Sequence, residues 1–263
     1  MNTTNLKKYA PQARREFMAA VSQRLNQFGI ATDSKGKLII STPVISGSVM
    51  QIGGMNFDAG LKRAREKLAQ RAEQMGFEPL VEQMAYTWFN RLSAIRFMEL
   101  HGYLDHNLRV LSHPEKANSF EILDHAQDVA ADLGLDRNQI VELKLAGNQD
   151  EALYRLLLLG QCHQLHKAMP FLFEDLDDET ELLLPDNLTR TDSILRGLVD
   201  SIPEEDWQQV EIIGWLYQFY ISEKKDLVIG SVVKSEDIPA ATQLFTPTGS
   251  SNTWCKTRSE DYG

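Results

Sequence analysis

The sequence has little cysteine, two residues in 263. Cys162 and Cys255 are far apart and sit in unlike surroundings, which excludes the disulfide framework that staples small secreted proteins. It also lacks any apolar run near the roughly twenty residues a helix needs to cross a bilayer. The opening segment, Met1-Asn2-Thr3-Thr4-Asn5-Leu6-Lys7-Lys8, has no apolar stretch after its charges and does not read as a secretory signal. The expectation is a cytoplasmic chain with no membrane partner. Positive charge is the minority sign. With 27 Lys and Arg against 37 Asp and Glu, the net charge is −10, which argues against a stand-alone nucleic-acid binder, because phosphate contacts supply most non-specific affinity. The pair Gly53-Gly54 is not followed by Lys-Ser/Thr, so a phosphate-cradling loop is excluded as well.

What is present fits a globular protein. Apolar residues make up 43% and charged residues 24% of the chain, ordinary values for a packed domain. The length suffices to bury a real core in one or two domains. The charges are unevenly placed: residues 1–118 carry 16 Lys and Arg against 10 Asp and Glu, and residues 119–263 carry 11 against 27. Such asymmetry points to different partners for the two halves. We therefore expect a basic helical region over 1–118, an acidic helical region over 119–247, and a disordered tail over 248–263, with a soft boundary in the loop at 106–118. The basic part could face DNA, and the acidic part solvent or another protein domain.

Periodicity predicts a mainly α chain with a short β element. Phe17, Val21, Leu25 and Phe28 share one face of a helix from Pro11 to Phe28, with Gly29 as its stop. Lys37 to Ile45 reads as one or two short strands, and Gly47, Gly53, Gly54 and Gly60 punctuate the loop after it. Asp58 caps a helix that reaches Met75 and stops at Gly76. Pro79 opens a long helix to Leu100. Its apolar face is Leu80, Val81, Met84, Ala85, Trp88, Phe89, Leu92 and Ile95, with Asn90, Arg91 and Arg96 off it. Further helices are expected over 119–132, 136–145, 150–167 and 189–199. A first turn starts at Pro203-Glu204-Glu205-Asp206, and a short strand is expected over 227–233.

Four groups of residues invite a chemical reading. Lys62, Arg63, Arg65, Lys67 and Arg71 lie on one predicted helix. The plain account is a solvated face with ion pairs to Glu66 and Glu73; the functional one is contact with a DNA backbone. Trp88 beside Arg91 and Arg96 resembles a base-stacking site, although core packing with salt bridges is the expectation. Cys162, His163 and His166 share a helix face, as zinc ligands do, but no second ligand pair has suitable spacing, so no metal is expected. The acidic run from Glu174 to Glu181 has no glycine turn and reads as a solvated helix start rather than a cation loop.

The stretch Ile212-Ile213-Gly214-Trp215-Leu216-Tyr217-Gln218-Phe219-Tyr220-Ile221 is apolar on nearly every side, which predicts a buried helix carrying Trp207, Val210 and Ile213 inward. Some two dozen residues later comes Phe245-Thr246-Pro247, where Pro247 holds Thr246 extended. This pair of segments resembles the Leu-Gly-x-x-Tyr-Glu and Phe-Thr-Pro pair of type I N6-adenine DNA methyltransferases. The likeness extends over almost the whole chain, to about Pro247, through Ala85-Tyr86-Thr87-Trp88-Phe89-Asn90-Arg91, Gly147-Asn148-Gln149-Asp150-Glu151-Ala152-Leu153-Tyr154-Arg155 and Leu184-Pro185-Asp186-Asn187-Leu188-Thr189-Arg190-Thr191-Asp192. These segments resemble the PglX family, the large adenine-specific methyltransferases of bacterial BREX phage-defence systems, which are several times longer than this chain.

The resemblance implies that Phe245, Thr246 and Pro247 line one wall of an S-adenosyl-L-methionine pocket. It also implies double-stranded DNA and other BREX proteins as partners, and a helical region that precedes an α/β Rossmann-like catalytic domain missing from this sequence. The family's catalytic Asn/Asp-Pro-Pro-Tyr/Phe motif, which stacks the flipped adenine and binds its N6 amine, does not occur here, nor does the glycine-rich loop of the cofactor domain. No residue is therefore assigned a catalytic role, and the chain is expected to be inactive alone. In the family an apolar helix follows Phe-Thr-Pro, whereas Thr248 to Arg258 has no such period. Codons able to encode this tail, read one base earlier from the end of the Pro247 codon, spell Asn-Trp-Ile-Val-Gln-Tyr-Leu-Val-Gln-Asn-Ser, an amphipathic helix start. The expectation is a one-base deletion near that codon, with 248–263 out of frame. The alternative function is a non-enzymatic helical module that docks BREX partner proteins or DNA. A metal hydrolase is set aside for want of ligands.

Overall fold

The structure is a computed structural model, and it describes residues 3–170, 173 and 178–222. The chain divides into two compact units, Arg15–Val199 and a smaller one made of Met1–Arg14 with Asp200–Gly263. Among the described residues the chain is mainly α, with five short antiparallel strands.

Helix α1 spans Thr4–Gln27 and takes Pro11 into its interior rather than starting there. An interior proline costs about 3 kcal/mol. Leu6, Tyr9, Ala10 and Ala13 are all buried around it, and burial of that apolar surface outweighs the lost hydrogen bond. Gly29 ends the helix with φ +69°.

The β element is larger than the sequence predicts. Strands β1 (Ile30–Thr32) and β2 (Leu38–Ile40) form one hairpin, and β3 (Val44–Ser46), β4 (Val49–Ile52) and β5 (Met55–Asp58) form a meander. Three of the glycines expected to punctuate a loop, Gly47, Gly53 and Gly54, form the hairpin turns, and Gly60 falls in the 3-10 turn that follows. Ser46 faces Val49 across Gly47-Ser48, and Ile52 faces Met55 across Gly53-Gly54, with positive φ at the three glycines. Two-residue turns of that handedness match the natural twist of paired strands. Met50 and Ile52 of β4 pack with Phe28, Ala64 and Leu182.

Helix α2 spans Lys62–Met75, and α3 spans Phe77–Leu100. The predicted apolar face of α3 is buried throughout, and Phe17 of α1 meets Phe89 edge-on at 5.6 Å, a favoured aromatic geometry. Arg91 and Arg96, expected off that face, are only 5% and 1% exposed. Arg91 lies over the Trp88 ring at 5.4 Å. Arg96 Nη1 pairs with Glu99 at 2.6 Å and donates to Ser112 Oγ at 2.7 Å. Glu99 in turn accepts from the Val110 and Leu111 amides at 2.7 Å. A helix buried over most of its surface takes some of its charges with it, provided each finds partners.

Over 119–132 the helix is only one turn, α4 (Glu121–Asp124). Successive turns then keep the helical spacing, so Ala126, Val129, Ala130 and Leu133 are still buried. Asp136 caps α5 (Arg137–Leu145) by accepting from the Asn138 amide at 2.9 Å. Helix α6 (Asp150–Ala168) buries Leu153, Tyr154, Leu157, Leu158, Cys162 and Leu165. The Tyr154 hydroxyl donates to the Val110 carbonyl at 3.0 Å, and its ring stacks on Phe120 at 4.1 Å. The hydrogen bond to Val110 crosses the charge boundary near residue 118. Helix α7 is Asp178–Leu182, and α8 is Ile194–Ser201, later than predicted. Thr189, expected to cap it, donates its amide and hydroxyl to Glu151 instead.

In the smaller unit a 3-10 turn, Glu204–Gln208, buries Trp207 and leads to α9 (Glu211–Tyr220). This helix is not enclosed on all sides as its composition predicts. Ile212, Leu216 and Tyr220 are buried on one stripe, whereas Val210 is 65% and Ile213 36% exposed. Trp215 and Phe219 stack on each other at 5.6 Å along the half-buried flank. The strand expected over 227–233 lies outside the described residues. Among the described residues no helix is long and apolar enough to cross a membrane.

Candidate nucleic-acid interface

The candidate interface is α2. Asp58 accepts from the Gly60 amide at 2.6 Å and fixes one 3-10 turn, Ala59–Leu61, ahead of the helix. The helical repeat then turns Ala64, Leu68 and Ala72 inward. Lys62 and Arg63 are exposed, and Lys67 and Arg71 half-buried.

Arg65 departs from the expected set. It is 4% exposed, and its guanidinium donates through Nε to the Phe28 carbonyl at 3.2 Å and through Nη2 to the Ser41 carbonyl. Burial weakens its hold on the proton, and Glu66 opposes that. Arg65 therefore ties the end of α1 to the strand region and has no donor fork to offer a phosphate.

The other four differ in how far they are committed. Lys62 pairs with Glu66 at 3.8 Å, both half exposed, an interaction worth a few tenths of a kcal/mol, roughly 0.3–0.5. Lys67 and Arg71 both reach Glu179 of α7, at 3.4 and 3.8 Å, a carboxylate the sequence reading did not connect to them. Arg71 also donates to Gln83 Oε1 at 3.3 Å. Arg63 has no partner among the described residues.

The other sites raised from the sequence take different places. Trp88 is fully enclosed, so no base reaches its face. Cys162 is buried, which pushes its thiol up to about 12 against the pull of Arg91. His163 Nε2 donates to Glu181 Oε1 at 2.7 Å, and His166 Nδ1 to the Phe173 carbonyl at 2.6 Å. The two histidines of α6 thus go to separate partners, while Cys162 is a free thiol in the core. Phe245, Thr246 and Pro247 lie outside the described residues.

No protein-family model matches the chain. Over 248 residues, 94% of the chain, it is 68% identical to an "Adenine-specific methyltransferase BrxX" of Escherichia coli O9:H4 (strain HS). The chain is similar to one region of an adenine-specific methyltransferase. It is also 35% identical, again over 94% of its length, to an "Adenine-specific methyltransferase PglX" of Lacticaseibacillus casei (strain Zhang). It spans only 21% and 22% of these two curated adenine-specific methyltransferases.

Two further arginines escape a sequence reading, Arg24 on α1 and Arg155 on α6. Each stands on an ordinary helix outside any basic cluster, and no local spacing links them. The fold places both on one carboxylate: Arg24 Nη1 pairs with Asp186 Oδ2 at 2.8 Å, and Arg155 Nη2 with Asp186 Oδ1 at 3.1 Å. Asp186 stands in Leu184-Pro185-Asp186-Asn187, one of the segments that carry the resemblance to adenine-specific methyltransferases.

Proposed function

We propose that this chain is the N-terminal helical region of an adenine-specific DNA methyltransferase of a BREX phage-defence system, acting in the cytoplasm. The supporting observation is the 68% identity over 94% of the chain. In this reading the basic region, 1–118, lies on double-stranded DNA through Lys62 and Arg63, with Lys67 and Arg71 of the same helix held back by Glu179. The acidic region, 119–247, leads toward the catalytic domain and other BREX proteins. Phe245, Thr246 and Pro247 form one wall of the S-adenosyl-L-methionine pocket, and that cofactor supplies the methyl group for the adenine N6. The sequence holds no Asn/Asp-Pro-Pro-Tyr/Phe motif, so methyl transfer requires the rest of such an enzyme.

A chimera tests this. The corresponding region of the Escherichia coli relative is replaced by residues 1–247 of this chain, and N6-methyladenine is counted in the DNA of the host cell. Methylation at the relative's own sites is the expected result. A folded chimera that leaves the DNA unmethylated overturns the proposal. The exposed Val210 and Ile213 of α9 favour a second reading, a docking module for partner proteins, in which the chimera methylates normally while Ile213→Asp removes the bound partners.

A further inference from the structure

Between α1, the start of α2, and α6 lies a cleft of about 440 Å³ lined by Arg24, Arg63, Arg155, Leu159, Glu181 and Leu182. Three guanidinium groups meet there. Part of their bonding braces the chain: Arg24 Nε donates to the Leu182 carbonyl at 3.0 Å, Arg24 Nη1 to Gln27 Oε1 at 2.6 Å, and Arg155 Nη2 to the Leu184 and Pro185 carbonyls at 3.0 and 2.7 Å. The single carboxylate of Asp186 bridges Arg24 and Arg155. Glu181 is held by His163 at 2.7 Å.

The bracing leaves a surplus. Among the described residues, Nη2 of Arg24, Nε and Nη1 of Arg155, and the whole guanidinium of Arg63 have no hydrogen-bond partner. The arginines also outnumber the acids that line the cleft. Both Arg24 and Arg155 bind their protons less firmly than a free arginine, through burial first, and for Arg155 the next largest cause is Arg24 itself, ahead of Asp186. Three arginines share the cleft with the carboxylates of Asp186 and Glu181, which leaves one positive charge there for a further anion. Single donors left over on rigid, planar groups, with the free fork of Arg63 beside them, suit a tetrahedral oxyanion that accepts from several of them at once.

We propose that this cleft is a phosphate-binding site, with Arg24 and Arg155 as its floor and Arg63 as the arm that closes on the ligand. The phosphate comes either from a DNA backbone or from a free nucleotide. The first source rests on the DNA-methyltransferase reading above; the phosphate chemistry itself does not.

The test uses the 263-residue chain and two probes, inorganic phosphate by calorimetry and a fluorescent DNA duplex across a salt series. The variants are Arg63→Ala, which breaks no internal bond, and Arg155→Lys, which keeps the charge and loses the fork. The expected result is phosphate binding that Arg63→Ala weakens by about tenfold at an unchanged melting temperature, and that Arg155→Lys weakens as well. If Arg63→Ala also lowers the salt slope of duplex binding by about 1, the duplex is the source. If phosphate binding weakens and duplex binding does not change, the site holds and takes a nucleotide. No phosphate binding at millimolar concentration, or equal binding by wild type and Arg63→Ala, overturns the site. Duplex binding that persists in that case leaves the DNA reading standing on Lys62 and the rest of the basic region.

Discussion

Glu99 accepts four hydrogen bonds, from Arg96 Nη1, Ser112 Oγ and the amides of Val110 and Leu111, where solvent does not reach. Burial raises its pKa above the ordinary carboxylate value, and Arg96 and the amides pull it back. Removing one member of such a pair leaves an uncompensated buried charge, so Glu99→Ala should destabilise the protein by about 3–5 kcal/mol in a urea titration. Adding Arg96→Met to Glu99→Ala should recover part of that loss; strictly additive losses would show that the pair is not coupled. Gly29 makes a different demand on its residue. It sits at φ +69°, and a Cβ there would lie 2.6 Å from Ile52 Cγ2 and 2.8 Å from Ser41 Cβ. Gly29→Ala should therefore lower stability by about 2 kcal/mol or more, and Gly53→Ala, with positive φ but open space around it, by no more than about 1–2 kcal/mol. The buried Cys162 thiol, raised to about 12, stays protonated at pH 8, so iodoacetamide should label it only after unfolding; peptide mapping separates it from Cys255.

At the scale of elements, α9 has the clearest test. Leu216 is 1% exposed and Ile213 36%, although both belong to one apolar run. Leu216→Ala should cost about 2–5 kcal/mol, and Ile213→Ser no more than about 0.5 kcal/mol; equal effects on the melting transition would mean that α9 buries both sides. The same helix shows what a sequence can and cannot reveal. Its existence and length follow from composition, and so do α2, with Asp58 before it and Gly76 after, and α3 with its eight inward residues. How much of a helix is covered depends on neighbours from elsewhere in the chain, and no local period records them. For that reason Val210 and Ile213 read as buried, and Arg91 and Arg96 as lying off the apolar face. Strand pairing is non-local in the same way: Gly53-Gly54 becomes a hairpin turn only because Ile52 and Met55 find each other. The candidate interface was legible as a cluster. The split inside it, Arg65 inward and Lys67 with Arg71 tied to Glu179, was not, because Phe28, Ser41 and Glu179 are distant in sequence.

For the molecule as a whole, the governing fact is polarity of charge. A chain with net charge −10 repels a polyanion on average, so any duplex it binds must meet a local concentration of cations, and such binding must fade as salt rises. The α2 face has four candidate cations, of which two share Glu179. Glu179 is only 6% exposed, so its charge is poorly screened and restrains Lys67 and Arg71 more than a surface acid would. Glu179→Gln keeps the shape and removes that charge. It should free two cations and make the slope of log affinity against log salt steeper by about 2, at roughly 0.9 per phosphate neutralised. In the wild-type background, Lys67→Ala and Arg71→Ala should alter the slope little, because those cations are already occupied. Added to Glu179→Gln, the same two changes should abolish the gain. A fluorescence-anisotropy salt series on these proteins decides the matter. A slope that Glu179→Gln leaves unchanged, with the fold intact by circular dichroism, would place the DNA-facing surface away from α2. Lys67→Ala that flattens the wild-type slope would mean instead that the Glu179 pairs open freely and withhold nothing.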